Sequence, residues 1–94
     1  GDVNIHELAG QLGVSVFTFR RTFRKRTGMA PHQYAINARI IRAQNELISS
    51  DIPIKTIAHN LGYRDVYFFS RQFKKIAGLS PGHFRASSRL VELR

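Results

Sequence analysis

Arg20, Arg21, Arg24, Lys25 and Arg26 follow one another along the chain with no acid among them. Guanidinium groups can pair bidentately with guanine O6 and N7, and any cation can meet a phosphate. Phe17 stands just ahead of this run, and further on Tyr67, Ser70, Arg71 and Lys74 are spaced in a related way. Aromatic and hydroxyl side chains of this kind can meet thymine methyls or phosphates. Ser15 can cap a helix running to about Thr27, with Phe19 and Phe23 on its buried face. Successive helical residues rotate by about 100°, so Phe17, Arg20, Arg21 and Arg24 must project at least partly outward. Three plainer readings stand beside this one. Phe17 and Tyr67 can be core aromatics packed on a preceding helix. Lys25, Arg26 and Lys75 can form a merely solvated face. Arg71 can pair with Asp65 and support the fold.

Other chemistries find little support. The chain has no cysteine, hence no thiol nucleophile, disulfide or Cys-based metal site. Its six acids are scattered, without the paired carboxylates of acid–base catalysis. His6, His32, His59 and His83 are too far apart for a zinc-type pair. No glycine-rich phosphate loop is visible. The expectation is therefore no enzyme, no metal and no cofactor. The 94 residues carry a net charge of +9 and a pI near 11.2, a balance suited to an anionic partner. A hydrophobic fraction of 43% is ordinary for a folded chain. No apolar run approaches the ~18 residues of a membrane span, and no signal-peptide pattern appears. The length suits one compact unit, or two very small ones sharing a core. Gly1 in place of Met suggests a fragment, a processed product or a tag scar.

The elements that position these residues repeat. Asn4 and Glu7 resemble a capping box, and Ile5, Leu8, Ala9 and Leu12 form the apolar face of a short helix. Gly13 suits its stop. A short helix, a tight turn and a second helix ending at Gly28 make a helix-turn-helix pattern. Ile54, Ile57, Ala58, Leu61 and Gly62 repeat the first helix and its stop at an offset of 62 − 13 = 49. Asp65, Phe69, Phe73 and Gly78 repeat Ser15, Phe19, Phe23 and Gly28 at 78 − 28 = 50. One residue has been added in the turn near Tyr63 and Arg64, where a length change costs least. Pro81 and Phe84 match Pro31 and Tyr34, and Ser80 can cap a last short helix. Between the copies, residues 31–50 read as one unbroken helix of roughly 30 Å, with Tyr34, Ala38, Ile41, Leu47 and Ile48 at helical spacing. The tail from Ser87 to Arg94 carries weak helix signals and is expected to fray. Val66 to Phe69 is apolar enough for a strand, but its place after a cap argues for helix.

The run Pro53-Ile54-x-x-Ile57-Ala58-x-x-Leu61-Gly62-Tyr63-x-Asp65-x-x-Phe68-Phe69-Ser70-Arg71-x-Phe73-Lys74-Lys75-x-x-Gly78-x-Ser80-Pro81-x-x-Phe84-Arg85 resembles the signature of the AraC/XylS transcription regulators. Arg39, Ala43, Leu47 and Ile48 resemble the family's connecting helix, and the likeness runs from about Ile5 to Arg85. It implies an all-α, homeodomain-like fold: two tandem helix-turn-helix units joined by a long linker helix. The expected segments are a first unit at 1–30, the linker at 31–50, a second unit with a short closing helix at 51–86, and a tail at 87–94. It also implies a bacterial, cytoplasmic activator that binds double-stranded DNA at the nucleoid. RNA polymerase is a candidate further partner. An effector or dimerisation domain is expected elsewhere in the protein, with this part monomeric alone. Carried over by position, the base-facing candidates are Phe17, Arg20, Arg21, Tyr67, Phe68, Ser70 and Arg71. The backbone-facing candidates are Ser15, Thr18, Arg24, Lys25, Arg64, Lys74 and Lys75. Helices at about 15–27 and 65–77 would then enter successive major-groove segments about 34 Å apart. The competing reading is a basic helical module that binds RNA, acidic protein or a membrane surface. Short helices whose apolar faces match a shared core argue against the membrane form of it.

Overall fold

The computed structural model describes residues 4–92. Its elements are all helices: α1 (Ile5–Leu12), α2 (Val16–Thr27), α3 (Pro31–Ser49), α4 (Ile54–Asn60), α5 (Val66–Ala77) and α6 (Pro81–Glu92). Two compact units divide within α3, the first ending at Asn37 and the second beginning at Ala38.

In the first unit, the Asn4 side chain accepts the Glu7 N–H at 3.1 Å and so starts α1. Gly13 ends it in the left-handed region (φ +70°), a conformation that a side chain disfavours. Ser15 starts α2 by accepting the Thr18 N–H at 3.1 Å. Phe23 meets Tyr34 edge-on, with ring centroids 5.3 Å apart. The apolar face expected of α1 is only partly enclosed. Ala9 is buried, whereas Leu8 lies at the surface and Leu12 is 68% exposed. Phe19 and Phe23 are half-buried, not sealed inside as their spacing suggests, and α2 has no fully buried residue. These rings line an open apolar groove with Leu12 and Val14. Two short helices and the first turns of α3 supply too little surface to close over them.

The second unit closes fully around its equivalents. Phe69 and Phe73 have no exposure, and Ile40, Ala43, Leu47, Ile57 and Ala58 are buried with them. Phe73 meets Phe84 edge-on at 5.5 Å, repeating the Phe23–Tyr34 contact. On α3 the stripe read from the sequence is displaced. Ile41 and Ile48 are 56% and 43% exposed and Tyr34 is 48% exposed. The residues turned inward are Ile36 in the first unit and Ile40, Ala43 and Leu47 in the second. Spacings of three and four keep that set on one stripe, and Ile41 lies about 100° off it.

The closing helix is longer than expected. In place of a short helix and a fraying tail from Ser87, α6 continues to Glu92; residues 93–94 lie outside the described ones. Two arginines hold it. Arg85 Nε donates to the Leu47 carbonyl at 3.1 Å and its Nη2 to the Ile52 carbonyl at 2.8 Å. Arg89 donates to the Ser50 carbonyl at 3.2 Å and pairs with the Asp51 carboxylate. Leu47 lies in the last turn of α3, where carbonyls have lost their intrahelical donors. The Arg89 hydrogen bond, then its charge, hold the Asp51 carboxyl below the ordinary carboxylate range, with a smaller charge contribution from Arg85.

Candidate nucleic-acid interface

The burial of one face of α5 decides what the other face presents. With Phe69 and Phe73 turned inward, Tyr67, Arg71 and Lys74 lie in solvent and Ser70 at the edge. Residues 67, 71 and 74 follow a spacing of four and three, a single stripe along the helix. The first unit repeats it: Phe17, Arg20, Arg21 and Arg24 are all exposed on α2. Phe17 and Tyr67 are 71% and 73% exposed, which rules out the core-aromatic reading of both. Asp65 is occupied as the cap of α5, its Oδ1 accepting the Tyr67 N–H at 2.8 Å. Among the described residues no ion pair joins it to Arg71, so the structural alternative for Arg71 finds no support.

The two stripes differ in detail. The Arg21 guanidinium lies 5.7 Å from the centre of the Phe17 ring, a cation–π distance that holds both side chains over the first turns of α2. Phe68 is half-exposed and leans on Tyr63, centroids 6.0 Å apart. Its counterpart in the first unit is Thr18, whose hydroxyl accepts from the Ser15 hydroxyl at 3.0 Å. Ser15 and Thr18 are thus already engaged with each other at the helix start. Lys25, Lys74 and Lys75 are exposed, as is Arg64 in the turn before α5.

Three residues beside this face were not among the DNA-contact candidates read from the sequence. Lys55, Thr56 and His59 on α4 line a groove of about 590 Å³ together with Arg64, Asp65 and Tyr67, beside the start of α5. A signal existed in the repeat: at the offset of 49 they correspond to His6, Glu7 and Gly10, so the second copy has gained a lysine and lost an acid. Among the described residues there is no group of three or more potential metal ligands, and no helix is long and apolar enough to cross a membrane.

A family model described as a helix-turn-helix domain matches residues 8–87. The transcriptional activator RhaS of Pectobacterium atrosepticum is 38% identical over 71 residues, covering 76% of this chain and 25% of that protein. The activator Btr of Bacillus subtilis is 32% identical over 69 residues, covering 73% of this chain and 13% of its own. The chain therefore spans about a quarter or less of the length of these relatives. Among solved structures, the DNA-binding domain of AdpA in complex with a target DNA is similar with a TM-score of 0.86 and 32% identity. That match covers 99% of this chain and 84% of the AdpA chain. The C-terminal domain of AraT, a response regulator of Geobacillus stearothermophilus, gives 0.82 and 30%, covering 92% of this chain and 71% of that one. With two helix-turn-helix units in tandem and the signature carried by the second, the chain belongs to the AraC/XylS family of helix-turn-helix proteins.

Proposed function

We propose that this chain binds double-stranded DNA sequence-specifically, by inserting α2 and α5 into successive segments of the major groove. The observation that carries this reading is the repeated exposed stripe: Phe17, Arg20, Arg21 and Arg24 on one helix, Tyr67, Ser70, Arg71 and Lys74 on the other. Each stripe lies opposite the phenylalanines that anchor its helix. A recognition helix reads base edges from its N-terminal part and meets phosphates around its ends. Phe17, Arg20, Arg21, Tyr67, Phe68, Ser70 and Arg71 are the proposed readers. Ser15, Thr18, Arg24, Lys25, Arg64, Lys74 and Lys75 are the proposed backbone contacts, joined by Lys55, Thr56 and His59. The AdpA domain, solved with a target DNA, supports the reading.

At the level of the whole protein, we propose transcription activation in a bacterial cytoplasm, as the names of RhaS and Btr suggest. RNA polymerase would be a partner there, and an effector or dimerisation domain would lie in the part of the protein that this chain does not span. The chain alone is expected to be monomeric and to act by binding, not catalysis.

Footprinting on a site selected in vitro tests the proposal. Protection of two major-groove segments about one turn apart is expected. Equal affinity for single-stranded RNA and for the duplex would overturn it in favour of the general basic module.

A further inference from the structure

The one-residue difference between the two turns has a consequence for the reading surface. Val14 follows Gly13 in the first turn; Tyr63 follows Gly62 in the second, and the extra residue Arg64 comes next. Tyr63 is 6% exposed. Its backbone N–H donates to the Ala58 carbonyl at 3.0 Å, which fixes the turn. Its hydroxyl is hydrogen-bonded to Gln72 Oε1 on α5, and the Arg39 guanidinium lies 5.4 Å from its ring centre. The ring meets Phe69 edge-on at 5.0 Å on its inner side. On its outer side it meets Phe68 at 6.0 Å and an interplanar angle of 44°. Phe68 and Gln72 are one helical turn apart, so Tyr63 is tied to α5 at both. The first unit repeats only the backbone bond, Val14 N–H to the Ala9 carbonyl at 3.0 Å; Val14 stands in the place of Tyr63 and Thr18 in the place of Phe68, so the side-chain contacts have no counterpart there.

We infer that Tyr63 is a positioning residue for Phe68. Held at its hydroxyl by Gln72 and at its face by Arg39, it forms a wall that fixes the half-exposed Phe68 ring against a thymine C5-methyl in the major groove. The second unit thereby reads one methyl that the first cannot. This rests on the DNA-binding reading above. A freely rotating phenylalanine would lose side-chain freedom on docking; one already walled on one side has less to lose. The thymine methyl is the feature of that base pair that an aromatic ring can recognise. Phe68 also lies within the first turn of α5, the part of a recognition helix that faces base edges.

The test replaces each thymine of a selected duplex site, one at a time, by uracil, which removes only the methyl. The parent chain should lose affinity about fourfold at one thymine in the half bound by the second unit, the worth of one buried methyl. Phe68→Ala should bring that thymine-to-uracil ratio close to one. Tyr63→Leu and Gln72→Leu should lower the ratio while leaving affinity for random duplex within about twofold, a pattern that a merely structural role would not produce. If Tyr63→Leu fails to fold in a thermal melt, Gln72→Leu decides. It sits at a half-buried helical position and removes the Gln72 partner of the hydroxyl while leaving the Tyr63 ring in place. An unchanged ratio in Phe68→Ala overturns the methyl contact. A ratio lost in Phe68→Ala but kept in Gln72→Leu overturns the positioning role of Tyr63. A parent that binds the site but shows no methyl-sensitive thymine in that half defeats this inference alone. A parent that binds no duplex defeats the DNA-binding reading itself.

Discussion

Arg71 and Lys74 share a helix and a face, yet their places predict different work. Arg71 lies between Phe69 and Phe73 in sequence and opposite them in space, within the first two turns of α5. Lys74 follows the second phenylalanine, in the helix's last turn. Arg71→Ala is expected to cost ~1–3 kcal/mol on a selected site and to relax preference at one or two base pairs. Lys74→Ala is expected to weaken selected and random DNA about equally and to lower the salt slope by about one. Binding series on the selected site and its single-base variants distinguish the two. Uniform loss for Arg71→Ala would make it a phosphate or structural residue. Arg21 sits at the equivalent place in the first unit, but it is stacked on Phe17, so the two should act together there.

At the scale of the helices, the two copies of one pattern differ in how tightly they are built. Phe69→Ala or Phe73→Ala empties a fully enclosed site and should cost ~3–5 kcal/mol. Phe19→Ala or Phe23→Ala removes a ring already open to water on one side and should cost clearly less; thermal melts of the four variants read the difference. Equal costs would show that the first unit is as well sealed as the second. The Arg89–Asp51 pair at the end of α3 predicts a dependence on acid. The Asp51 carboxyl is held below its ordinary value in the folded chain, chiefly by the Arg89 hydrogen bond. Its contribution is therefore complete above the unfolded value, about 3.9, and disappears as pH falls through the folded one. Asp51→Asn should melt below the parent at pH 7, and the gap should narrow below about pH 4. Because Asp51 is exposed, the gap should also shrink in high salt. A gap that stays constant from pH 7 to acid would remove the ion pair from the account.

For the whole molecule, charge is the governing quantity. A net charge of +9 on 94 residues, with cations on both reading helices and on α4, predicts ~6–10 neutralised phosphates. Affinity should then fall by roughly three to five orders of magnitude between 50 and 200 mM salt. A nearly flat titration would contradict the nucleic-acid reading. On the proposed reading, the same charge would favour fast, steered encounter with DNA of any sequence and leave discrimination to the proposed base-edge contacts.

The caps, stops and repeat were legible in the sequence because they are local. Asn4, Ser15 and Asp65 accept backbone N–H groups within three residues of themselves, and Gly13 and Gly62 take a backbone angle that depends on no distant neighbour. The outward stripe on α2 and α5 followed from placing two phenylalanines on one face, since helical geometry then leaves little choice. Whether a face would be covered was another matter, because coverage depends on how much surface other elements bring. Phe19 and Phe69 occupy the same place in the pattern, but one is half-buried and the other sealed. On α3, Ile40 and Ile41 are adjacent and chemically identical; only packing selects Ile40 for the core. The length of α6 depended on Arg85 and Arg89 reaching back 33 to 39 residues to carbonyls and a carboxylate at the end of α3. The wall that Tyr63 makes behind Phe68 likewise exists only because the turn is folded over α5. Interactions within a helical turn can be read from spacing, whereas those that join distant stretches are decided by the tertiary structure.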